Sequence, residues 1–141
     1  MVFQSQQEKV LIIDFGSQVT KLIARRIRDL GVFSEIITPQ EIKKINFQNV
    51  RGIIFSGGPS TVTKSKFERV PKEIFKKNLP ILGICYGLQL IAKLFGGKIN
   101  SSKKRREFGR AHIFKRNNSL LTKNFFSKNN TVWMSHEDAV V

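Results

Sequence analysis

The sequence predicts an α/β fold: a doubly wound, mostly parallel sheet with helices on both faces. Three observations carry that expectation. Short apolar runs recur along the chain, amphipathic segments separate them, and each run ends in a short functional-looking loop. The runs are Val10-Leu11-Ile12-Ile13, Gly52-Ile53-Ile54-Phe55 and Ile81-Leu82-Gly83-Ile84. They are continuous rather than alternating with polar residues, which suits strands covered on both faces.

The elements follow in order. Residues 17–30 place Val19, Leu22, Ile23, Ile27 and Leu30 at three- and four-residue spacing, with Arg25, Arg28 and Asp29 mainly opposite. Gly31 is a natural C-terminal stop, and Gly16-Ser17 supplies an N-terminal cap. Asp14 and Gln18 are read as turn and helix-start residues rather than cofactor contacts. Val32–Thr38 reads as a second strand. Pro39 opens a short helix over 39–45, and Pro71 another over 71–77. Residues 86–95 form a further amphipathic helix through Leu88, Leu90, Ile91, Leu94 and Phe95, stopped by Gly96-Gly97. Thr131–Met134 reads as a last strand. In such sheets functional residues collect at the carboxyl ends of the strands. Here those ends are Asp14-Phe15-Gly16-Ser17-Gln18, Ser56-Gly57-Gly58-Pro59 and Cys85-Tyr86-Gly87.

Composition excludes several classes of function. The 141 residues suit one domain with a real core, and at 40% hydrophobic the chain is too apolar for intrinsic disorder. A single cysteine, Cys85, rules out a disulfide framework. No apolar run approaches the roughly 20 residues of a membrane helix. Residues 1–9 are polar and lack the apolar core of a signal peptide. A cytoplasmic protein without a membrane partner is expected.

The charge is harder to place. Lys and Arg number 25 against 10 Asp and Glu, a formal net charge of +15, which makes a basic nucleic-acid-binding module one rival reading. The basic residues are spread along the chain, however, and Ile, Lys, Phe and Asn, all served by A/T-rich codons, are abundant together. Compositional bias accounts for such a balance without a partner. The densest run, Lys103-Lys104-Arg105-Arg106, has no interleaved aromatic residue and reads as a solvated loop. No nucleic-acid partner is expected.

The chemistry centres on Gly83-Ile84-Cys85-Tyr86-Gly87, a Gly-x-Cys-x-Gly segment between a buried strand and an amphipathic helix. Flanking glycines permit a tight turn that lifts the central side chain above the sheet, as in a nucleophile elbow. A helix N-terminus also favours a thiolate over a thiol. Alone, the pattern fits a small buried cysteine equally well; the strand before it and the helix after it favour a nucleophile. Ser56-Gly57-Gly58-Pro59-Ser60 ends a neighbouring strand, and a backbone N–H there, with that of Tyr86, suits an oxyanion hole.

These two segments, the elbow extended through Leu88-Gln89-Leu90, together with Ile12-Ile13-Asp14-Phe15-Gly16-Ser17-Gln18, Arg106-Glu107-Phe108-Gly109-Arg110-Ala111 and Val132-Trp133-Met134-Ser135-His136, closely resemble the class I glutamine amidotransferase domain at the N-terminus of glutamine-hydrolysing GMP synthases. The five motifs keep family order over essentially the whole chain. The resemblance implies a flavodoxin-like amidotransferase fold and a ligase whose glutaminase part supplies ammonia for the ATP-dependent amination of XMP to GMP. It implies Cys85 as the nucleophile, Gly58 and Tyr86 as oxyanion-hole N–H donors, and Gln89, Ser135 and His136 as the lining of the glutamine pocket. No metal or cofactor is implied in this domain; ATP and Mg belong to a synthetase domain, and the full-length protein is implied to be a homodimer.

One part of the family's catalytic set is missing. The family draws its base from a His-Pro-Glu segment, and no His-Pro-Glu occurs here. The chain is therefore expected to be a domain over 1–141 cut before its catalytic His and Glu, without the synthetase domain and inactive alone. His136-Glu137-Asp138 imitates a base with its orienting acid, but the resemblance places His136 in the substrate pocket, and Glu137 stands where the family usually has Gly. His112 reads as a strand residue, and Phe125-Phe126 as core or an inter-domain contact. A rival within the enzymes is the glutaminase of another class I amidotransferase.

Overall fold

The computed structural model describes residues 7–62, 67, 70–100, 107–115, 117, 119–124, 130–136 and 139–140. Lys103-Lys104-Arg105-Arg106, Phe125-Phe126 and Glu137 lie outside the described residues. The chain forms two compact units, one over Met1–Ile99 with Val140–Val141 and one over Asn100–Ala139.

The first unit is built on four strands: β1 (Lys9–Ile13), β2 (Phe33–Ile37), β3 (Val50–Phe55) and β4 (Ile81–Gly83). They are parallel and stand in the order β2-β1-β3-β4. This order is that of a flavodoxin-like sheet, the fold that the family resemblance implies, with its topological switch between β1 and β3. The register sets Ile13 beside Phe55 and Phe55 beside Gly83, so three strands end in one row. The loops that follow them leave the sheet at the same level.

Connections decide where the helices go. The chain passes from β1 outward to β2 through α1 (Thr20–Asp29), then returns across β1 to β3 through a 3-10 helix, Pro39–Lys44. Because parallel crossovers are right-handed, opposite directions of travel put these helices on opposite faces. Side chains agree. On the α1 face, the Ser34 hydroxyl donates to the Ala24 carbonyl at 3.1 Å. On the other face, Leu11, Ile13, Ile53 and Phe55 share a buried cluster with Ile42 and Ile74 of the two 3-10 helices and with Leu90 of α2 (Tyr86–Leu94).

The expected elements are present, with shifted details. The short helices after Pro39 and Pro71 are 3-10 helices, Pro39–Lys44 and Lys72–Lys77. On α1 the buried stripe is rotated from the one the apolar spacing predicts. Thr20 and Ala24 are buried and Ile23 and Ile27 half-buried, whereas Leu22 is 50% and Leu30 81% exposed. The reason is closeness. A helix that bonds through its own carbonyl to a buried strand serine must present small residues to the sheet. Nor does Ser17 cap α1 directly: Val19 is the N-cap, and the Ser17 hydroxyl accepts from its N–H at 3.2 Å in a turn one step earlier. On α2, Leu88 and Phe95, expected on the buried face, are 50% and 68% exposed, while Tyr86, Gly87, Gln89 and Leu90 are buried.

After α2 comes a two-residue strand, β5 (Ile99–Asn100), and the second unit contains an antiparallel pair, β6 (Glu107–His112) and β7 (Thr131–His136). β7 runs two residues beyond the predicted end at Met134. Its last residues pair across the ladder, Ser135 with Phe108 and His136 with Glu107. His112 is a strand residue, as expected, with Thr131 Oγ1 3.3 Å from its Nδ1.

The rotated face of α1 is directly testable. Ala24→Leu forces side-chain volume between helix and sheet and is expected to cost about 1–3 kcal/mol. Leu22→Ala, on the outer side, should change stability by less than about 1 kcal/mol. Denaturant titrations of both variants check this; the reverse order of effects would restore the stripe read from spacing alone.

Candidate active site

The turn between β4 and α2 is held by four backbone bonds. Ile84 N–H donates to Phe55 O at 2.9 Å, and Gln89 N–H to Cys85 O at 3.1 Å. Gly87 N–H lies between two acceptors, Ser56 O at 3.1 Å and Ile84 O at 3.0 Å. This compact geometry makes Cys85 the N-cap of α2 with φ +51° and ψ −113°. Such a conformation costs a non-glycine residue about 1–3 kcal/mol and persists only where its surroundings enforce it.

The surroundings are legible at both glycines. A Cβ placed on Gly83 would stand 2.6 Å from the backbone of Leu88, and one on Gly87 would stand 2.6 Å from Phe55 Cβ. The first turn of α2 therefore lies directly on the end of β3, with no room for a side chain at either flank. Cys85 is turned outward and exposed, whereas Tyr86 beside it is buried. The Tyr86 ring packs on Phe15 at 5.2 Å between centroids, and Phe15 packs edge-on against Phe55 at 5.7 Å.

The loop after β3 reaches the same place. A Cβ built on Gly57 would meet Ser17 Oγ at 3.5 Å and Cys85 Cβ at 3.6 Å. Gly58 comes closer still to its neighbour: its Cβ would fall 2.5 Å from Phe15 O. Ser56, with no exposed surface, accepts from Phe15 N–H at 3.1 Å and donates to Gly57 O at 2.9 Å. After β1, one Asp14 carboxylate oxygen accepts from Gly16 N–H at 2.9 Å and from the Thr20 hydroxyl at 2.8 Å, so Asp14 does serve the turn and helix start.

The structure thus gathers Cys85, Tyr86 and Gly58 at one end of the sheet, with Gln89 buried one helical turn after Cys85. Ser135 and His136 lie at the end of β7 in the second unit. Sequence reasoning passed over Ser56 and Phe15, the residues that tie the loops together; their only signal was membership of the motifs. Among the described residues, no group of three or more His, Cys, Asp or Glu side chains is placed to hold a metal ion. Two clefts, of about 510 and 370 Å³, lie elsewhere in this unit, along the two 3-10 helices. Neither is lined by a residue of the elbow or of the glycine loop. An exposed sulfur above a helix N-terminus, beside a glycine-rich backbone, suits attack on a carbonyl-type carbon and stabilisation of the resulting oxyanion.

The chain is similar to known proteins over nearly its whole length. A family model for class-I glutamine amidotransferases matches residues 11–141. Glutamine-hydrolysing GMP synthases from Petrotoga mobilis and Macrococcus caseolyticus are 52% and 46% identical over 133 and 140 residues, covering 94% and 96% of this chain. The chain spans about a quarter of the length of these curated relatives (25% and 26%). Among solved structures, a candidate GMP synthase subunit from Thermoplasma acidophilum superposes with a TM-score of 0.72 at 31% identity, over 96% of this chain and 67% of that one. A glutamine amidotransferase from Methylobacillus flagellatus shares the fold at a TM-score of 0.57 and 13% identity, over 96% of this chain and 57% of its own.

The elbow's close packing predicts a sharp response at Gly87. Gly87→Ala should lower stability by about 1–3 kcal/mol or more, because its Cβ has nowhere to go but into Phe55. Thermal and denaturant unfolding measure this. A Gly87→Ala protein as stable as the parent would mean that α2 does not sit against β3 as described.

Proposed function

The chain belongs to the class-I glutamine amidotransferase family, and we propose that it is the glutamine-hydrolysing part of a GMP synthase. The observation that carries the proposal is the strained, outward Cys85 at the head of α2 with the Gly57-Gly58 backbone beside it. The relatives named above, with their own GMP synthase identity, favour that acceptor chemistry over another amidotransferase.

In this reading the Cys85 sulfur attacks the side-chain amide carbon of glutamine. The carbonyl oxygen becomes an oxyanion, held by the N–H groups of Gly58 and Tyr86. Collapse of this intermediate breaks the C–N bond, and the nitrogen leaves as ammonia after taking up a proton. The γ-glutamyl thioester that remains is attacked by water, releasing glutamate and restoring the thiol. The family resemblance assigns glutamine binding to Gln89 in the first unit and to Ser135 and His136 in the second.

The proton needs a base, and none of the residues gathered at the elbow is one. We assign that role to a histidine outside these 141 residues, in the His-Pro-Glu segment that the family resemblance implies. Ammonia then passes to a synthetase portion that uses ATP and Mg to activate XMP for amination to GMP. The complete protein acts in the cytoplasm as a homodimer, with glutamine, XMP and ATP as its small-molecule partners.

Two measurements test this. A glutamine analogue with a chloroketone in place of the amide should alkylate Cys85 in the complete protein, and excess glutamine should protect it; labelling elsewhere, or labelling indifferent to glutamine, overturns the assignment. The 141-residue chain alone should release ammonia from glutamine at least about 10²-fold more slowly than the complete protein, the usual contribution of a positioned base. Equal rates would place the base within these residues, with His136 the first candidate.

A further inference from the structure

Ser56 follows β3, and its hydroxyl both accepts and donates a hydrogen bond. The Phe15 N–H donates to Oγ, and the single hydroxyl proton goes to the Gly57 carbonyl. That carbonyl belongs to the same planar unit as the Gly58 N–H. In a trans peptide the C=O and N–H point to opposite sides, and the described residues contain no cis bond. Holding Gly57 O against Ser56 therefore turns the Gly58 N–H away from Ser56.

The side chains around this peptide do little to fix it. With glycine on both sides, no Cβ resists inversion of the peptide between them. The same loop stands at the elbow, since a Cβ on Gly57 would lie 3.6 Å from Cys85 Cβ. Ser56 also joins the elbow through its own carbonyl, which accepts from Gly87 N–H at 3.1 Å. One buried residue thereby links the loop after β1, the loop after β3 and the first turn of α2.

We propose that Ser56 is a positioning residue whose hydroxyl latches the Gly57–Gly58 peptide in the orientation that presents Gly58 N–H as an oxyanion donor beside Cys85. The proposal rests on the glutaminase reading of Cys85. Without the hydroxyl the peptide occupies both orientations, and the donor is absent for part of the time.

The test compares wild type, Ser56→Ala and Ser56→Thr in the complete protein. Ser56→Ala should lower kcat for glutamine hydrolysis by roughly 10–100-fold, approaching the loss of one oxyanion donor. KM for glutamine should change little. Alkylation of Cys85 by iodoacetamide, which builds no oxyanion, should keep its rate, and Ser56→Thr should recover most of kcat. A merely structural role would instead lower kcat and the alkylation rate together, and that result overturns the proposal. Should Ser56→Ala be too unstable, Ser56→Cys fills the same space with a much weaker donor and carries the same expectation. Crystal structures of wild type and variant give a readout that needs no turnover. A flipped or split Gly57–Gly58 peptide in the variant supports the latch, and an unchanged one overturns it. If wild type fails to hydrolyse glutamine, the glutaminase reading falls, while the peptide orientation still decides the latch.

Discussion

The contact on which the site depends is the one between Gly87 and the end of β3. Because α2 begins directly against Phe55, the chain has only two residues, Ile84 and Cys85, in which to leave β4 and enter the helix. That shortness forces the left-handed φ at Cys85. The strain is sustained by what surrounds it: backbone bonds from Ile84 and Gly87, a buried Tyr86, and the Phe15–Tyr86 and Phe15–Phe55 aromatic contacts. The outward thiol is thus a consequence of packing beneath it rather than of the cysteine itself.

The second requirement is that three loops meet at one level. The register that puts Ile13, Phe55 and Gly83 in a row provides it, since each strand then releases its loop at the same height above the sheet. Ser56 joins the loops by three hydrogen bonds, two through its hydroxyl and one through its carbonyl. A parallel sheet with ordinary right-handed crossovers supplies the layout, and a few small residues at the strand ends convert it into a site.

Much of this was legible in the sequence, for identifiable reasons. Continuous apolar runs mark strands covered on both faces, so β1, β3 and β4 were recognisable, and the elbow was visible because glycine is obligatory on either side of Cys85. The buried faces of the helices were less legible. Apolar spacing on α1 pointed to Leu22 and Leu30, while the sheet took Thr20 and Ala24, because close approach rewards small residues over oily ones. On α2 the same preference for tight contact buried Gly87 and left Leu88 exposed. Ser56 could not be singled out at all: the use of its hydroxyl depends on Phe15, 41 residues away in sequence. The net charge of +15, the most conspicuous feature of the composition, places no charged residue in the elbow (83–87) or in the glycine loop (56–60).

The central claim is that the strained cysteine carries the acyl group. The most direct measurement is to quench the complete protein during glutamine turnover at low pH and map covalent adducts by mass spectrometry. A γ-glutamyl thioester on the peptide containing Cys85, lost on treatment with hydroxylamine and absent from Cys85→Ser, is the predicted result. Undiminished glutamine hydrolysis in Cys85→Ser, or an adduct on another residue, would contradict it.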